Sequence, residues 1–550
     1  IPLSSSTMSL PALDLPPSNA SLPEGRRWTQ LLAARAPYVV AAIALIAGFV
    51  SLNTFLGGFY DDAFYVVLAK SLATGHGYRN LNLPGTPFAT HYPPGYPFFL
   101  ALLWWIGPAF PSNVALFKLA NVVFLAVAAA FAYRLGHERM GLGVGAALVA
   151  VIAGTATTPA LYLSSMVLSE TMFLALAIAF LLWAEAKLAR EKADFRTAIL
   201  LGVCAGLLML VRTQAVALIA AVALVYALRR RWRDCAMSIG AAAIVVLPWL
   251  FWVAAHDTDI PALMRGDYGS YFAWLVDGIR ERGPRILFEA ARRNVPDIVS
   301  LIAYRLRMDG LPGVVASLCV CLLAGCGVAR LARRAPVTLT FLLGYLGIAA
   351  LWPFPPVRFL LGVWVLIMLL LASGAEMLLD NSTPNVAWHR RNVRLVKRGL
   401  GAVAAVLLVI GAIAYNVRGY ARNAWATTEV ESTRWIAPKI AWIGSRTDTS
   451  AVIASDHDEG AIYLYTGRRA VPVTTFTAGE FVAPRSFAAD STTLRWLTLH
   501  FQANYVTLSS VRLRPAAAAI SSAATPLHDG AHEIVPWAFA VRQPTRPASR

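Results

Sequence analysis

The stretch TAILLGVCAGLLMLVRTQAVALIAAVALVYAL, Thr197 to Leu228, decides how this chain is folded. It is apolar throughout except for Arg212-Thr213-Gln214 at its middle, with Arg196 before it and Arg229, Arg230, Arg231 and Arg233 after it. Clustered basic residues mark the cytoplasmic ends of membrane spans, so both ends belong on the inner side and the stretch crosses twice or not at all. About 32 residues shared between two helices give each about 24 Å at 1.5 Å per residue. That is short of a hydrocarbon core of about 30 Å. The solution is a short helical hairpin whose apex stops below the outer surface. Non-helical backbone at that depth is tolerated where it lines a wet cavity, and Arg212 then points into it.

Working outward, apolar runs cover about 36–56, 113–133, 143–161 and 168–186 before the hairpin. Others cover about 236–254, 313–331, 337–352, 358–377 and 399–415 after it. Basic clusters fall at alternate ends: Arg26, Arg27 and Arg35; Arg134 and Arg139; Lys187, Arg190, Lys192 and Arg196; Arg330, Arg333 and Arg334; Arg390, Arg391, Arg394, Lys397 and Arg398. The pattern predicts a polytopic α-helical membrane protein with about 11 transmembrane helices, its N-terminus inside and its C-terminus outside. The transmembrane domain occupies 26–417, with outer loops at 57–112 and 255–312. The second loop is Arg-rich for an outer segment, but long loops are weak orientation signals. Residues 1–25, rich in Ser and Pro near their start, read as a disordered tail, and the first run as a retained anchor. From 418 to 550 the composition turns polar. Short β-branched runs at 451–454 and 504–508 alternate with helix-like stretches such as 491–501, the pattern of an extracytoplasmic α/β domain.

Composition excludes several classes. With 57% hydrophobic and 14% charged residues in 550, the chain cannot cover its apolar surface as a soluble protein. The formal net charge of +18 suggests nucleic acid, but the basic residues cluster between apolar runs, so no nucleic-acid partner is expected. The five cysteines lie in or beside apolar runs without a CxxC pair and read as small hydrophobes. There is no P-loop and no GxGxxG in a βαβ setting, and the cytoplasmic segments are too short for a nucleotide-binding domain.

Four places offer chemistry. The first outer loop opens with Phe59-Tyr60-Asp61-Asp62-Ala63-Phe64-Tyr65, then an amphipathic helix to about Thr74 whose apolar side chains suit the membrane interface. Asp61 is either a helix cap or a carboxylate held at the membrane surface, where one acid of the pair orients and the other accepts a proton. His91 and Tyr92 precede Pro93-Pro94, which fix an extended chain entering a helix. His91 either orients a phosphate or sugar hydroxyl or is a satisfied loop histidine. Glu170, after Ser169, either complements a helix terminus or belongs to a site. Arg358 follows the rigid turn Trp352-Pro353-Phe354-Pro355-Pro356-Val357. It either snorkels to headgroups or joins Arg212 in a phosphate site. The run Asp456-His457-Asp458-Glu459 reads as an acidic helix cap, because adjacent residues rarely converge on one ion.

All the candidates lie at the outer face, where nucleotide sugars and ATP are not normally supplied, so an activated substrate should arrive through the lipid. A polyprenyl-phosphate sugar fits: arginines would stabilise the phosphate as charge develops, and one carboxylate suffices as base. A polyprenyl-lipid or solute transporter or flippase is the rival reading, disfavoured by the lack of internal repeats and by the outer domain. A non-catalytic lipid-binding scaffold is a third.

Tyr60-Asp61-Asp62, the Pro93-Pro94 segment leading into Trp104-Trp105, Ser169-Glu170, Leu210-Val211-Arg212 and Arg358-Phe359-Leu360-Leu361 occur in that order. In this they resemble the GT-C glycosyltransferases of glycosyltransferase family 39, which include protein O-mannosyltransferases and lipid A aminoarabinose transferases. The stretch 461–468 looks like the outer domain of bacterial members. The resemblance implies a GT-C fold and inverting transfer of a sugar from a polyprenyl-phosphate donor to a lipid, glycan or protein acceptor. The setting it implies is the outer face of a bacterial cytoplasmic membrane. It makes Asp61 the catalytic base with Asp62 as second member of the pair, and maps the family's basic positions onto Arg212 and Arg358. With these, His91, Tyr92 and Glu170 are the substrate-binding candidates that the residues themselves suggest. No metal ligands are assigned, and a divalent cation is the one cofactor left open. Many members carry a lysine directly before the Pro-Pro pair. Here that position is Tyr92, so phosphate contact falls to the arginines, to His91 or to a different donor geometry.

Overall fold

A computed structural model describes residues 24–189, 195–305, 310–379, 388–456, 458–527 and 536–542. The expected tail up to residue 23, the basic residues Arg190 and Lys192, and His457 lie outside the described residues.

The hairpin is present. Phe195–Met209 and Val216–Leu228 are helices of 15 and 13 residues, separated at Arg212, whose backbone is extended (φ −148°, ψ 132°). Its first arm carries Gly202 and Gly206 four residues apart on one face, which lets it approach the helix Trp232–His256 closely. A Cβ added at Gly202 would stand 2.1 Å from the Ser238 carbonyl oxygen.

Six helices among the described residues are long and apolar enough to cross a membrane: Gln30–Val50, Val114–Arg139, Glu170–Leu188, Trp232–Asp259, Gly310–Arg334 and Gly401–Ala421. The other expected spans are helical but short or broken. The run at 143–161 forms Val144–Thr155 and Thr158–Ser164, bent by 51°, where Pro159 lacks the N–H needed to continue the first helix. The run at 358–377 splits into Val357–Leu361 and Trp364–Leu379 around Gly362-Val363. Pro336–Leu351 has 16 residues. Length and composition alone thus give six spans, or seven with the bent pair, and the figure of about 11 depends on counting the short ones.

The helix after the first span, Tyr60–Ala73, departs from expectation. Its apolar side chains are not free to face lipid: Asp62 through Ala69 and Ser71 are all buried. The reason is tertiary. The helix Glu459–Thr466 of the C-terminal domain lies across it, with Gly460 against Ala63 and Phe64. Tyr465 completes the contact, its hydroxyl accepting the Leu56 N–H at 3.1 Å.

The C-terminal domain contains a five-stranded mixed sheet built from β1 (Val452–Ser455), β2 (Arg469–Pro472), β3 (Tyr505–Leu508), β4 (Ser521–Pro526) and β5 (Trp537–Val541). The order is β2-β1-β3-β5-β4, with β1 parallel to both neighbours and β5 antiparallel to β3 and β4. The two expected strands are β1 and β3, and the expected helix is Phe487–His500. Helices Glu459–Thr466 and Phe487–His500 carry the crossovers that parallel neighbours require. The first loop docks beside β2: Ala470 N–H bonds the Asn82 carbonyl at 2.7 Å, and Arg469 bonds that of Leu83 at 2.7 Å. The final long helix, Trp388–Ala421, runs four residues past the expected boundary at 417.

Candidate active site

Asp61 and Asp62 lie in the first turn of the helix Tyr60–Ala73, where acids favour the positive helix end. Successive residues on a helix diverge by about 100°, so the two acids part company. Asp62 turns inward, fully buried, and accepts the Gly57 N–H at 2.9 Å. Burial raises its pKa, against the pull of Lys118 and of backbone N–H groups. It secures the chain entering the helix and stands apart from the other candidates.

Asp61 turns toward the hairpin. Its Oδ1 accepts from the Tyr92 hydroxyl at 2.8 Å, and its Oδ2 takes Arg358 Nη1 at 2.5 Å. Arg358 Nε donates to Glu170 Oε1 at 2.8 Å, and its guanidinium also covers the Phe59 ring, 4.4 Å from the centroid. The second oxygen of Glu170 pairs with Arg212 Nη1 at 2.8 Å. Arg212 in turn donates to Ser169 Oγ at 3.0 Å, which lies 3.0 Å from the Tyr65 hydroxyl. Tyr92, Asp61, Arg358, Glu170, Arg212, Ser169 and Tyr65 thus form one continuous polar chain. Five of the seven expected site residues belong to it.

Each member is positioned by a local feature of the sequence. Arg212 sits at the extended apex of the hairpin. Tyr92 is held by Pro93-Pro94 and Gly95, whose N–H bonds the Leu210 carbonyl at 2.7 Å. A Cβ at Gly95 would stand 2.7 Å from that same oxygen, so the segment clamps onto the apex only with glycine there. Arg358 follows Pro356, the N-cap of a short helix. The turn before it is tied down by Asn294 of the helix Arg285–Arg305, whose Nδ2 reaches the carbonyls of Trp352 at 2.8 Å and Ala349 at 3.1 Å. Asn294→Leu, similar in size, leaves those carbonyls unmet. It is expected to cost about 1–3 kcal/mol, read as a lower melting temperature of the purified protein. An unchanged melting temperature would mean that the prolines hold the turn unaided.

His91 lies beside the chain rather than in it. Its Nδ1 is 2.7 Å from the Gly269 carbonyl, so Nδ1 carries the proton and donates. Burial lowers its pKa, against the pull of Asp61 and Asp257. The ring packs between Tyr92 and Tyr271, with centroids 4.6 and 4.3 Å away.

Burial grades along the chain. The side chains of Glu170 and Arg212 are 1% and 6% exposed, those of Asp61 and Arg358 16% and 18%. The Glu170–Arg212 end is sealed and the Asp61–Arg358 end is accessible. The two carboxylates and two guanidiniums are formally neutral together. Arg358 Nη2 has no hydrogen-bond partner among the described residues, which leaves one guanidinium edge for an incoming anion. Behind Glu170 lies a small, mainly apolar cavity lined by Leu125, Ala160, Leu163, Leu174 and Leu361.

Among the described residues, no group of three or more His, Cys, Asp and Glu side chains is placed to hold a metal ion. In the 456–459 run, Asp456 and Asp458 both pair with the buried Lys439, and Asp456 accepts the N–H groups of Ser509 and Ser510 at 2.8 Å each.

Sequence reasoning missed Tyr65, Ser169, Tyr271 and Asn294 as site residues. Tyr65 had a usable signal, lying four residues after Asp61 on the same helix face. Ser169 adjoins Glu170. The other two come from the long second loop, where spacing says nothing about depth.

No family model matches the sequence, and no curated protein matches it. Solved structures do. ArnT from Cupriavidus metallidurans bound to undecaprenyl phosphate is 13% identical, with a TM-score of 0.50, covering 92% of this chain and 97% of that one. The same protein in the apo state gives 14% identity and a TM-score of 0.52 over the same shares. At such identity the likeness is one of fold. The chain has a GT-C architecture, with membrane helices leading into a C-terminal α/β domain.

Proposed function

We propose that this GT-C chain is an inverting glycosyltransferase that moves a sugar from a polyprenyl-phosphate donor to a lipid, glycan or protein acceptor at the outer membrane face. The observation that carries this reading is the polar chain from Asp61 through Arg358 and Glu170 to Arg212, sealed inward and accessible outward. The acceptor hydroxyl oxygen attacks the anomeric carbon as the bond from that carbon to the phosphate oxygen breaks, and the electron pair leaves on the phosphate. Arg358 meets that developing charge through its unused edge, in a setting shielded from water where fixed cations act strongly. Arg212 holds Glu170, and Glu170 holds Arg358, so the cation is fixed before the donor arrives. Asp61 takes the acceptor proton. Its oxygens are hydrogen-bonded to Tyr92 and Arg358, yet each keeps a further lone pair.

Asp61→Asn keeps the shape and removes the base. In proteoliposomes with a panel of synthetic polyprenyl-phosphate sugars, it is expected to slow transfer by about 10²–10⁴-fold while donor binding survives. Undiminished transfer would remove Asp61 from the mechanism. No transfer by the wild type from any donor would move the transporter reading to the front.

A further inference from the structure

Tyr271 opens the helix Tyr271–Arg282 in the second outer loop, and the backbone on both sides of it is pinned. The preceding Gly269 carbonyl accepts from His91 at 2.7 Å. The Ser270 N–H bonds Asp257 at 2.8 Å, and the Ser270 hydroxyl caps the helix by accepting the Ala273 N–H at 3.1 Å. The ring is held as firmly, its centroid 4.3 Å from that of His91 and 6.0 Å from that of Trp352, edge-on at 72°.

The hydroxyl is different. The neighbouring tyrosines all have partners: Tyr65 has Ser169, Tyr92 has Asp61, and Tyr345 has the Phe359 carbonyl at 3.0 Å. The half-buried Tyr271 has a hydroxyl with no hydrogen-bond partner among the described residues. It nonetheless lies within the fields of Asp61, Arg358, Arg212 and Tyr65. Burial raises its pKa, so it keeps its proton and acts as a donor. A rigid ring packed on His91, which itself packs on the Tyr92 that bonds Asp61, carries an unused donor beside the accessible end of the polar chain, and that suits an anion. Tyr92 cannot serve that purpose, because its own hydroxyl is engaged on Asp61.

We infer that Tyr271 donates a hydrogen bond from its hydroxyl to a phosphate oxygen of the polyprenyl-phosphate donor, and strengthens it as that phosphate leaves. The assignment rests on the glycosyltransferase reading and adds a residue from the second outer loop to its site. No proton passes from Tyr271: the acceptor proton goes to Asp61, and the electron pair of the broken bond stays on the phosphate. Two groups then meet the departing charge, Arg358 from the membrane domain and Tyr271 from the second loop. The loop helix therefore contacts the reacting lipid instead of serving only as a cover.

Tyr271→Phe tests this cleanly, because the ring and its packing on His91 and Trp352 remain. With the full chain in nanodiscs, the Kd for undecaprenyl phosphate is expected to rise about tenfold to a hundredfold, the worth of a hydrogen bond to a charged group. Transfer kcat should fall by a similar factor, while the KM for acceptor and the melting temperature stay at wild-type values. Tyr271→Leu, which removes ring and hydroxyl together, provides the contrast. Wild-type binding and turnover in Tyr271→Phe, with loss only in Tyr271→Leu, would overturn the assignment and leave Tyr271 a packing residue, with the glycosyltransferase reading untouched. Failure of the wild type itself to bind any polyprenyl phosphate would overturn that reading, and this assignment with it.

Discussion

Arg358→Lys keeps the positive charge and is expected to lose transfer by about 10²–10³-fold in kcat/KM, the cost of removing one preorganised donor from a developing oxyanion. The reason is the fork. Arg358 engages Glu170 through Nε and Asp61 through Nη1 while a third edge stays open. An ammonium group is a single point with no fixed plane, so it cannot span both carboxylates and still face a phosphate. The loss should appear chiefly in kcat, with the melting temperature little changed, because a lysine still balances the two acids. Assays in proteoliposomes with separate thermal melts would show this. A lysine variant with near wild-type turnover would mean that the charge alone matters and that the geometry of the turn at 352–357 is incidental.

Glu170→Ala should act mainly on the fold. It leaves Arg212, 6% exposed, without its counter-charge at a hairpin apex inside the protein. Removing one partner of a buried pair costs about 3–5 kcal/mol, since the remaining charge stays buried and unpaired. The melting temperature of the purified protein should fall sharply, and expression with it. Arg212→Met combined with Glu170→Gln removes both charges and should recover much of that stability without recovering transfer. A Glu170→Ala protein as stable as the wild type would show that the apex is held by packing and by the Ser169 hydroxyl instead.

Much of this site was readable from the sequence because depth in a membrane restricts chemistry. Arg212 stood out because basic clusters fixed both ends of a stretch too short for two full spans. Glu170 and Arg358 stood out as charges at outer ends of apolar runs, and Asp61 as an acid at the same level. What stayed hidden depended on contacts distant in sequence. The helix Tyr60–Ala73 has the look of an interfacial helix until Gly460 and Tyr465, some four hundred residues later, are laid across it. The divergent fates of Asp61 and Asp62 follow from helical geometry, but which of them faces the arginines depends on the whole fold. Asn294 and Tyr271 sit in a loop whose mixture of Arg, Asp and Glu hides one buried amide and one free hydroxyl. The break at Gly362-Val363 was equally silent, because apolar residues continue through it.

The lengths of the hairpin arms bear on the lipid around the protein as well as on the site. Helices of 15 and 13 residues measure about 22 and 20 Å at 1.5 Å per residue, against a hydrocarbon layer of about 30 Å. An undisturbed bilayer would bury the apex under nearly a third of its own thickness. Arg212 is 6% exposed and paired with Glu170, so protein and not headgroups covers the apex at that depth. The short hairpin is therefore lipid-length only where its neighbours stand around it, and the depth its arms fail to span is filled by the packed loops that carry Asp61 and Tyr92.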